Sequence, residues 1–154
     1  MDRQRLTPAE ILDLMPQQRP FRFVDEILEV DEHRIVGRYR FREDEWFYAG
    51  HFPGRPITPG VILLEAMCQV GVVALGIYLF ALDRPADEGR AFTTLFVDAE
   101  SEFMRSVLPG ETVTIRGERV FWRRNKLRAR IEMFAADGTL VAQTTASGLG
   151  VRNE

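Results

Sequence analysis

The stretch Gly50-His51-Phe52-Pro53-Gly54-Arg55-Pro56-Ile57-Thr58-Pro59-Gly60 holds three of the chain's eight prolines and three of its twelve glycines. Prolines fix φ and remove donors, while glycines reach backbone shapes that other residues refuse. A segment so composed holds its few side chains in place. One of the two histidines sits in it, and imidazole is the usual base near neutral pH. His51 either serves as such a base or only bonds a backbone group. Thr58 and Pro59 read as the N-cap and first residue of a helix, which puts Gly60 at the second position. There the Gly60 amide is an orphan donor at the positive end of the dipole, suited to a carbonyl oxygen that gains charge, unless the Thr58 hydroxyl takes up the nearby amides. Glu65 is the only charge between Val61 and Leu82, with Gln69 one turn later on the same face. A carboxylate among apolar neighbours is paired, protonated or functional; otherwise it reaches solvent near the helix start, where the dipole favours it.

A base, an acid and an amide donor suit one class of reaction. The base takes a proton from the carbon beside a thioester carbonyl, and the amide holds the developing enolate charge. The acid protonates a hydroxyl on the next carbon, which leaves as water. Nucleophilic catalysis fits less well. Cys68 lies inside the apolar run with no cationic neighbour in sequence and should be inert. The chain has no G-x-S-x-G elbow, Walker loop or G-x-G-x-x-G. One cysteine and two histidines do not supply the roughly four N or S ligands of a zinc site, so neither metal nor cofactor is expected.

The elements that must hold these residues are legible around them. With 154 residues, 45% hydrophobic and 28% charged, the chain reads as one globular domain over 1–154. A net charge of −3 argues against nucleic-acid binding. Val61 to Leu82 is apolar on every side, but its uncharged part, Ala66 to Leu82, is 17 residues where a membrane span takes about 20. It reads as a helix buried on every side, stopped at Asp83-Arg84-Pro85. Thr7-Pro8-Ala9-Glu10 opens a short capped helix. Phe21 to Val30 and Ile35 to Phe41 read as strands around an Asp31-Glu32-His33 turn, followed after the long helix by Ala91 to Val97, Val113 to Trp122, Leu127 to Phe134 and Thr139 to Ser147. Arg124-Asn125 and Asp137-Gly138 supply turns. This order predicts an α+β fold: one antiparallel sheet, ending in a meander, curled around one long central helix. Exposed sheet edges and an incompletely enclosed helix predict a homodimer. The N-terminal Met1-Asp2-Arg3-Gln4-Arg5 is charged with no apolar run after it, so a cytoplasmic chain without a secretory leader is expected.

The run Gly50-His51-Phe52-Pro53-Gly54-x-Pro56-x-x-Pro59-Gly60-Val61, then Leu64-Glu65-Ala66-Met67-x-Gln69, resembles the signature of the FabZ-type (3R)-hydroxyacyl-[acyl-carrier-protein] dehydratases. Arg19-Pro20-Phe21-x-Phe23-Val24-Asp25 is similar to that family's N-terminal strand. Phe103-x-x-x-Val107-x-Pro109-Gly110-Glu111 is similar to its later element. The resemblance covers nearly the whole chain and implies a hotdog-fold enzyme of fatty acid synthesis, a homodimer or trimer of dimers. It implies His51 as catalytic base, Glu65 as catalytic acid, Gly60 as the amide that contacts the thioester carbonyl, and Gln69 as a residue that holds the acid or its water. The active site would lie between subunits, with His51 of one facing Glu65 of the other, and Glu65 in place of Asp points to the plain dehydratase rather than the dehydratase-isomerase. The implied partner is an acyl carrier protein bearing a phosphopantetheine-linked acyl chain. That chain would lie in an apolar tunnel along the central helix, with Phe52 and Met67 as candidate lining; the alternative for both, and for Met67 above all, is an ordinary core residue. Arg55 is a candidate for the phosphopantetheine phosphate.

The chain also departs from the family. Glu100 and Glu102 stand where relatives carry basic residues, with Arg105 alone keeping the sign. A replacement docking surface is Arg123-Arg124-Asn125-Lys126-Leu127-Arg128-Ala129-Arg130, in which Lys126, Arg128 and Arg130 share one strand face; the other reading is a solvated face. The same chemistry in a specialised polyene, polyketide or lipid pathway stays open, as does a non-catalytic hotdog subunit that only binds acyl thioesters.

Overall fold

Thr7 opens the first helix, α1 (Pro8–Leu14), with both halves of a capping box: its hydroxyl accepts from the Glu10 N–H at 3.3 Å and its own N–H donates to the Glu10 carboxylate at 2.7 Å. The computed structural model describes residues 4–154, so Met1-Asp2-Arg3 of the charged N-terminal stretch lies outside the described residues. β1 (Glu26–Val30) and β2 (Arg34–Arg40) pair as an antiparallel hairpin. Its turn is built on Asp31, whose carboxylate accepts from the His33 and Arg34 amides at 2.7 and 2.9 Å. The first strand is shorter than the Phe21 to Val30 run predicts. Phe21 and Phe23 spend their backbone groups on the Gln69 side chain instead of a ladder, which leaves that segment irregular.

The central helix α2 covers 24 residues, Gly60–Asp83, about 36 Å long. It is α-helical over Gly60–Cys68, π-helical over Gln69–Ala74 and α-helical again over Leu75–Asp83. Arg84 turns extended and ends it just before Pro85. The helix is long and apolar enough to cross a membrane, yet 67% of its most apolar window is buried within the protein. Its π segment packs against β2 and against three later strands, which makes it the core helix of this domain.

After α2 come β3 (Phe92–Phe103), β4 (Thr112–Arg123), β5 (Lys126–Ala135) and β6 (Leu140–Arg152). The six-stranded antiparallel sheet has the order β1-β2-β4-β5-β6-β3. β4, β5 and β6 form the expected meander. Arg124 and Asn125 turn the first corner with φ of 50° and 61°, and Gly138, φ 85°, turns the second. β3 does not join the meander in chain order. It crosses to pair with β6 along its length, so β1 and β3 are the edges. One antiparallel sheet wrapped around one helix is the hotdog arrangement, as expected.

Two glycines set how closely helix and sheet approach. A Cβ on Gly117 would stand 2.8 Å from the Gly71 Cα, and one on Gly71 would stand 2.5 Å from Ile131 Cγ1. Backbone meets backbone here because neither residue carries a side chain. Gly117→Ala is expected to cost about 1–3 kcal/mol in denaturant unfolding, the usual penalty for overpacking. A variant as stable as the parent would show that the sheet does not press on the helix at this point.

Candidate active site

Segment 50–60 is pinned at both ends. The buried Tyr48 and Thr58 hydroxyls share a hydrogen bond of 2.6 Å, and the Thr58 N–H donates to the Val107 carbonyl at 2.9 Å. Between these anchors Phe52 and Arg55 exchange backbone hydrogen bonds of 3.2 and 2.9 Å around Gly54, whose φ is 71°. The His51 carbonyl accepts from the Ile57 N–H at 2.9 Å, and the His51 Nδ1 lies 2.8 Å from the Ile57 carbonyl oxygen. A carbonyl only accepts, so Nδ1–H is the donor and Nε2 of the neutral ring keeps its lone pair. Of the two alternatives left by the sequence, the backbone bond is present, and among the described residues Nε2 has no hydrogen-bond partner. The His51–Phe52 peptide is cis, and the Phe52 ring stacks on the imidazole at 4.1 Å.

The start of α2 corrects the expected register by one residue. Pro59 is the N-cap and Gly60 the first helical residue, with no side chain capping them. The Thr58 hydroxyl, the expected cap, is held by Tyr48 instead. That engagement removes the competitor for the first amides, and the Gly60 N–H has no acceptor within the helix. The Phe103 ring stands over it: a Cβ on Gly60 would lie 3.6 Å from Phe103 Cζ.

Glu65 is half-buried rather than sealed in the core. Gln69, fully buried, makes three hydrogen bonds, one of them to Glu65. Its Nε2 donates to Glu65 Oε1 at 2.9 Å and to the Phe21 carbonyl at 2.8 Å, while its Oε1 accepts from the Phe23 N–H at 2.7 Å. Among the described residues Glu65 Oε2 has no hydrogen-bond partner. Glu65 looks into a groove lined by Gln17, Cys68, Val72, Thr94 and Phe96, among others. Gln17, which carries no signal in the sequence beyond following Pro16, has its Oε1 buried there without a partner. Burial first, and the Glu65 charge second, push the Cys68 thiol up to about 12, which agrees with an inert cysteine.

The chain thus joins Glu65 to Gln69 and places Gly60 about 7–8 Å up the same helix. It does not join His51 to Glu65: among the described residues no hydrogen bond or ion pair links them. Phe52 is 47% exposed on its loop. Met67 is core, fully buried with the Thr144 hydroxyl 3.7 Å from its sulfur. Arg55 is exposed. Arg105 does not keep a free positive charge, since Glu111 lies 2.5 Å away and Asp137 3.9 Å. Lys126, Arg128 and Arg130 alternate along β5 as expected, with Arg128 paired to Asp98 at 3.1 Å.

Solved structures of this shape place the chain among hotdog-fold proteins. A thioesterase of Haemophilus influenzae superposes with a TM-score of 0.68 at 15% identity, covering 99% of this chain and 96% of that one. A hypothetical thioesterase of Streptococcus pneumoniae, solved with coenzyme A, does so at 0.58 and 12% identity over 84% and 87%. Sequence narrows the class. The model of the FabA-like domain matches residues 15–145. The 3-hydroxyacyl-[acyl-carrier-protein] dehydratase FabZ of Desulforamulus reducens is 42% identical over 109 residues, 70% of this chain and 72% of its own length. That of Herpetosiphon aurantiacus is 37% identical over 143 residues, 90% and 93%. The chain belongs to the FabZ-type 3-hydroxyacyl-[acyl-carrier-protein] dehydratases.

Two measurements follow from Gln69 and Cys68. Gln69→Leu strands the Phe23 N–H and the Phe21 carbonyl, each worth about 1–3 kcal/mol when buried unpaired; a loss of at least about 2 kcal/mol in denaturant unfolding is expected, and no loss would mean water replaces those bonds. Cys68 should react with an alkylating reagent at pH 8 on the order of 10³-fold more slowly in the folded chain than in urea. Equal rates would place the thiol in contact with solvent.

Proposed function

We propose that His51 and Glu65 together remove water from (3R)-3-hydroxyacyl-[acyl-carrier-protein] and leave the trans-2-enoyl thioester of fatty acid synthesis. The observation that carries this reading is the division of labour in the side-chain hydrogen bonds. Ile57 fixes the imidazole with its Nε2 lone pair outward, and Gln69 holds one oxygen of Glu65 while leaving the other unengaged. Nε2 takes the proton from the carbon beside the carbonyl, and the Gly60 amide steadies the enolate oxygen. Glu65 gives its proton to the 3-hydroxyl, the carbon–oxygen bond breaks, and the enolate electrons form the double bond. The imidazolium then returns its proton to the carboxylate, so one water leaves and the enzyme is restored.

Within one chain His51 and Glu65 do not meet, so the site is completed by pairing two copies. The exposed edge β3, with Leu95, Phe96 and Val97 uncovered, is the surface for that contact, in a homodimer or a trimer of dimers. The partner is an acyl carrier protein. Its phosphopantetheine phosphate is met by Arg55, and its acidic surface by Lys126 and Arg130 on the outer face of β5. Residues 1–154 form one dehydratase domain that acts in the cytoplasm, and its acid–base chemistry needs neither cofactor nor metal.

His51→Ala and Glu65→Gln, assayed separately for the conjugated enoyl product, should each lower turnover by at least about 10²-fold with the fold intact. Rates like the parent's in either variant would show that the chemistry belongs to other groups. Tight acyl binding without any turnover by the parent would favour the non-catalytic subunit.

A further inference from the structure

We infer that Phe103 is a positioning residue for the Gly60 amide: its ring keeps water off that N–H, so that the donor is free for the thioester oxygen. The inference deepens the dehydratase reading above and rests on it for the ligand. The ring meets the helix start tip-first. A Cβ on Gly60 would lie 3.6, 3.7 and 3.8 Å from Phe103 Cζ, Cε1 and Cε2, and residue 60 has no side chain to stand between ring and backbone. Backbone anchors set that position. Phe103 ends β3 opposite Ala142 of β6, and the Met104 N–H that follows donates to the Val141 carbonyl at 2.8 Å. Further along, the Val107 carbonyl accepts from the Thr58 N–H at 2.9 Å. The strand end that bears the ring is thereby tied to the turn that opens α2, and Val107, Thr58 and Pro59 are buried at the tie.

Packing of the core does not account for the ring. Phe103 is 48% exposed and lies outside the core cluster, so burial there contributes little to the fold. Val61 and Met104, adjacent in sequence to Gly60 and Phe103, are exposed and apolar as well. None of these neighbours offers an acceptor to the amide, and the Thr58 hydroxyl is engaged by Tyr48. A donor shielded from water acts on a developing charge with less screening. Left without an acceptor it costs free energy in the free protein. A thioester oxygen removes that cost, most of all once it carries the enolate charge, and interactions that strengthen toward the transition state are the ones that raise the rate.

The direct test reads the amide itself. In full-length protein labelled with nitrogen-15 glycine, we would follow deuterium exchange of the Gly60 N–H by NMR. The parent should exchange at least about 10-fold more slowly than an open peptide, and Phe103→Ala at least about 10-fold faster than the parent. Phe103→Leu keeps hydrocarbon at the site and should stay near the parent. An amide as fast in the parent as in an open peptide, or equally fast in parent and Phe103→Ala, would overturn the inference. Turnover gives a second readout, with the 3-hydroxybutyryl thioester of N-acetylcysteamine as substrate. Phe103→Ala should lower kcat at least about 10-fold with KM held within a factor of about 3, and Phe103→Leu should restore most of the loss. A loss confined to KM, or one that follows a lowered unfolding midpoint, would make Phe103 a packing residue and overturn the inference. A parent without turnover whose Gly60 amide still answers to Phe103 would sink the dehydratase reading and leave the shielding in place.

Discussion

One side-chain amide couples the Glu65 carboxyl to the fold. Gln69 is fully buried and spends both its donors and its acceptor on Glu65, Phe21 and Phe23. The segment before β1 would otherwise bury an unpaired N–H and C=O against α2, which proteins avoid. Its attachment to the helix therefore serves the core first. The same attachment fixes where one oxygen of Glu65 sits and leaves the other turned toward the groove. Orientation of the acid is a by-product of satisfying two backbone groups, so site geometry and folding rest on the same bonds.

The histidine loop follows a similar economy of parts. Tyr48 and Thr58 close the loop with a buried hydroxyl pair, Gly54 turns its tip in the left-handed region, and Ile57 supplies the carbonyl that selects the ring tautomer. Each limits the positions His51 can take, so the loop itself orients the imidazole. Phe52 adds a ring stacked on the imidazole.

What the sequence announced was the local chemistry. Thr7 and Glu10 name their capping box by type and spacing. Asp137-Gly138 marks its hairpin, and Gly50 to Gly60 marks a rigid loop leading into a helix. The single charge at Glu65 and its neighbour Gln69 are visible as an i, i+4 pair. Features that depend on distant partners were not legible. Nothing between Phe21 and Asp25 shows that a glutamine 46 residues away from Phe23 will take its amide. Thr58 has every mark of an N-cap until Tyr48 claims its hydroxyl. β3 reads as a strand, but its crossing to the far edge beside β6 is a matter of topology. Gln17 gains meaning only from the groove that buries its oxygen.

The π-helical turn at Gln69–Ala74 carries a consequence for how the chain can change. Such a stretch winds more than the α-helical 3.6 residues into a turn, so it takes up a residue that a plain α-helix would not. Removing that residue would let the stretch close to an α-helix with Glu65, Ile77 and Phe80 still on their present faces. The spacing between Glu65 and the far half of the helix is thus a place where the chain can shorten without turning the two halves apart.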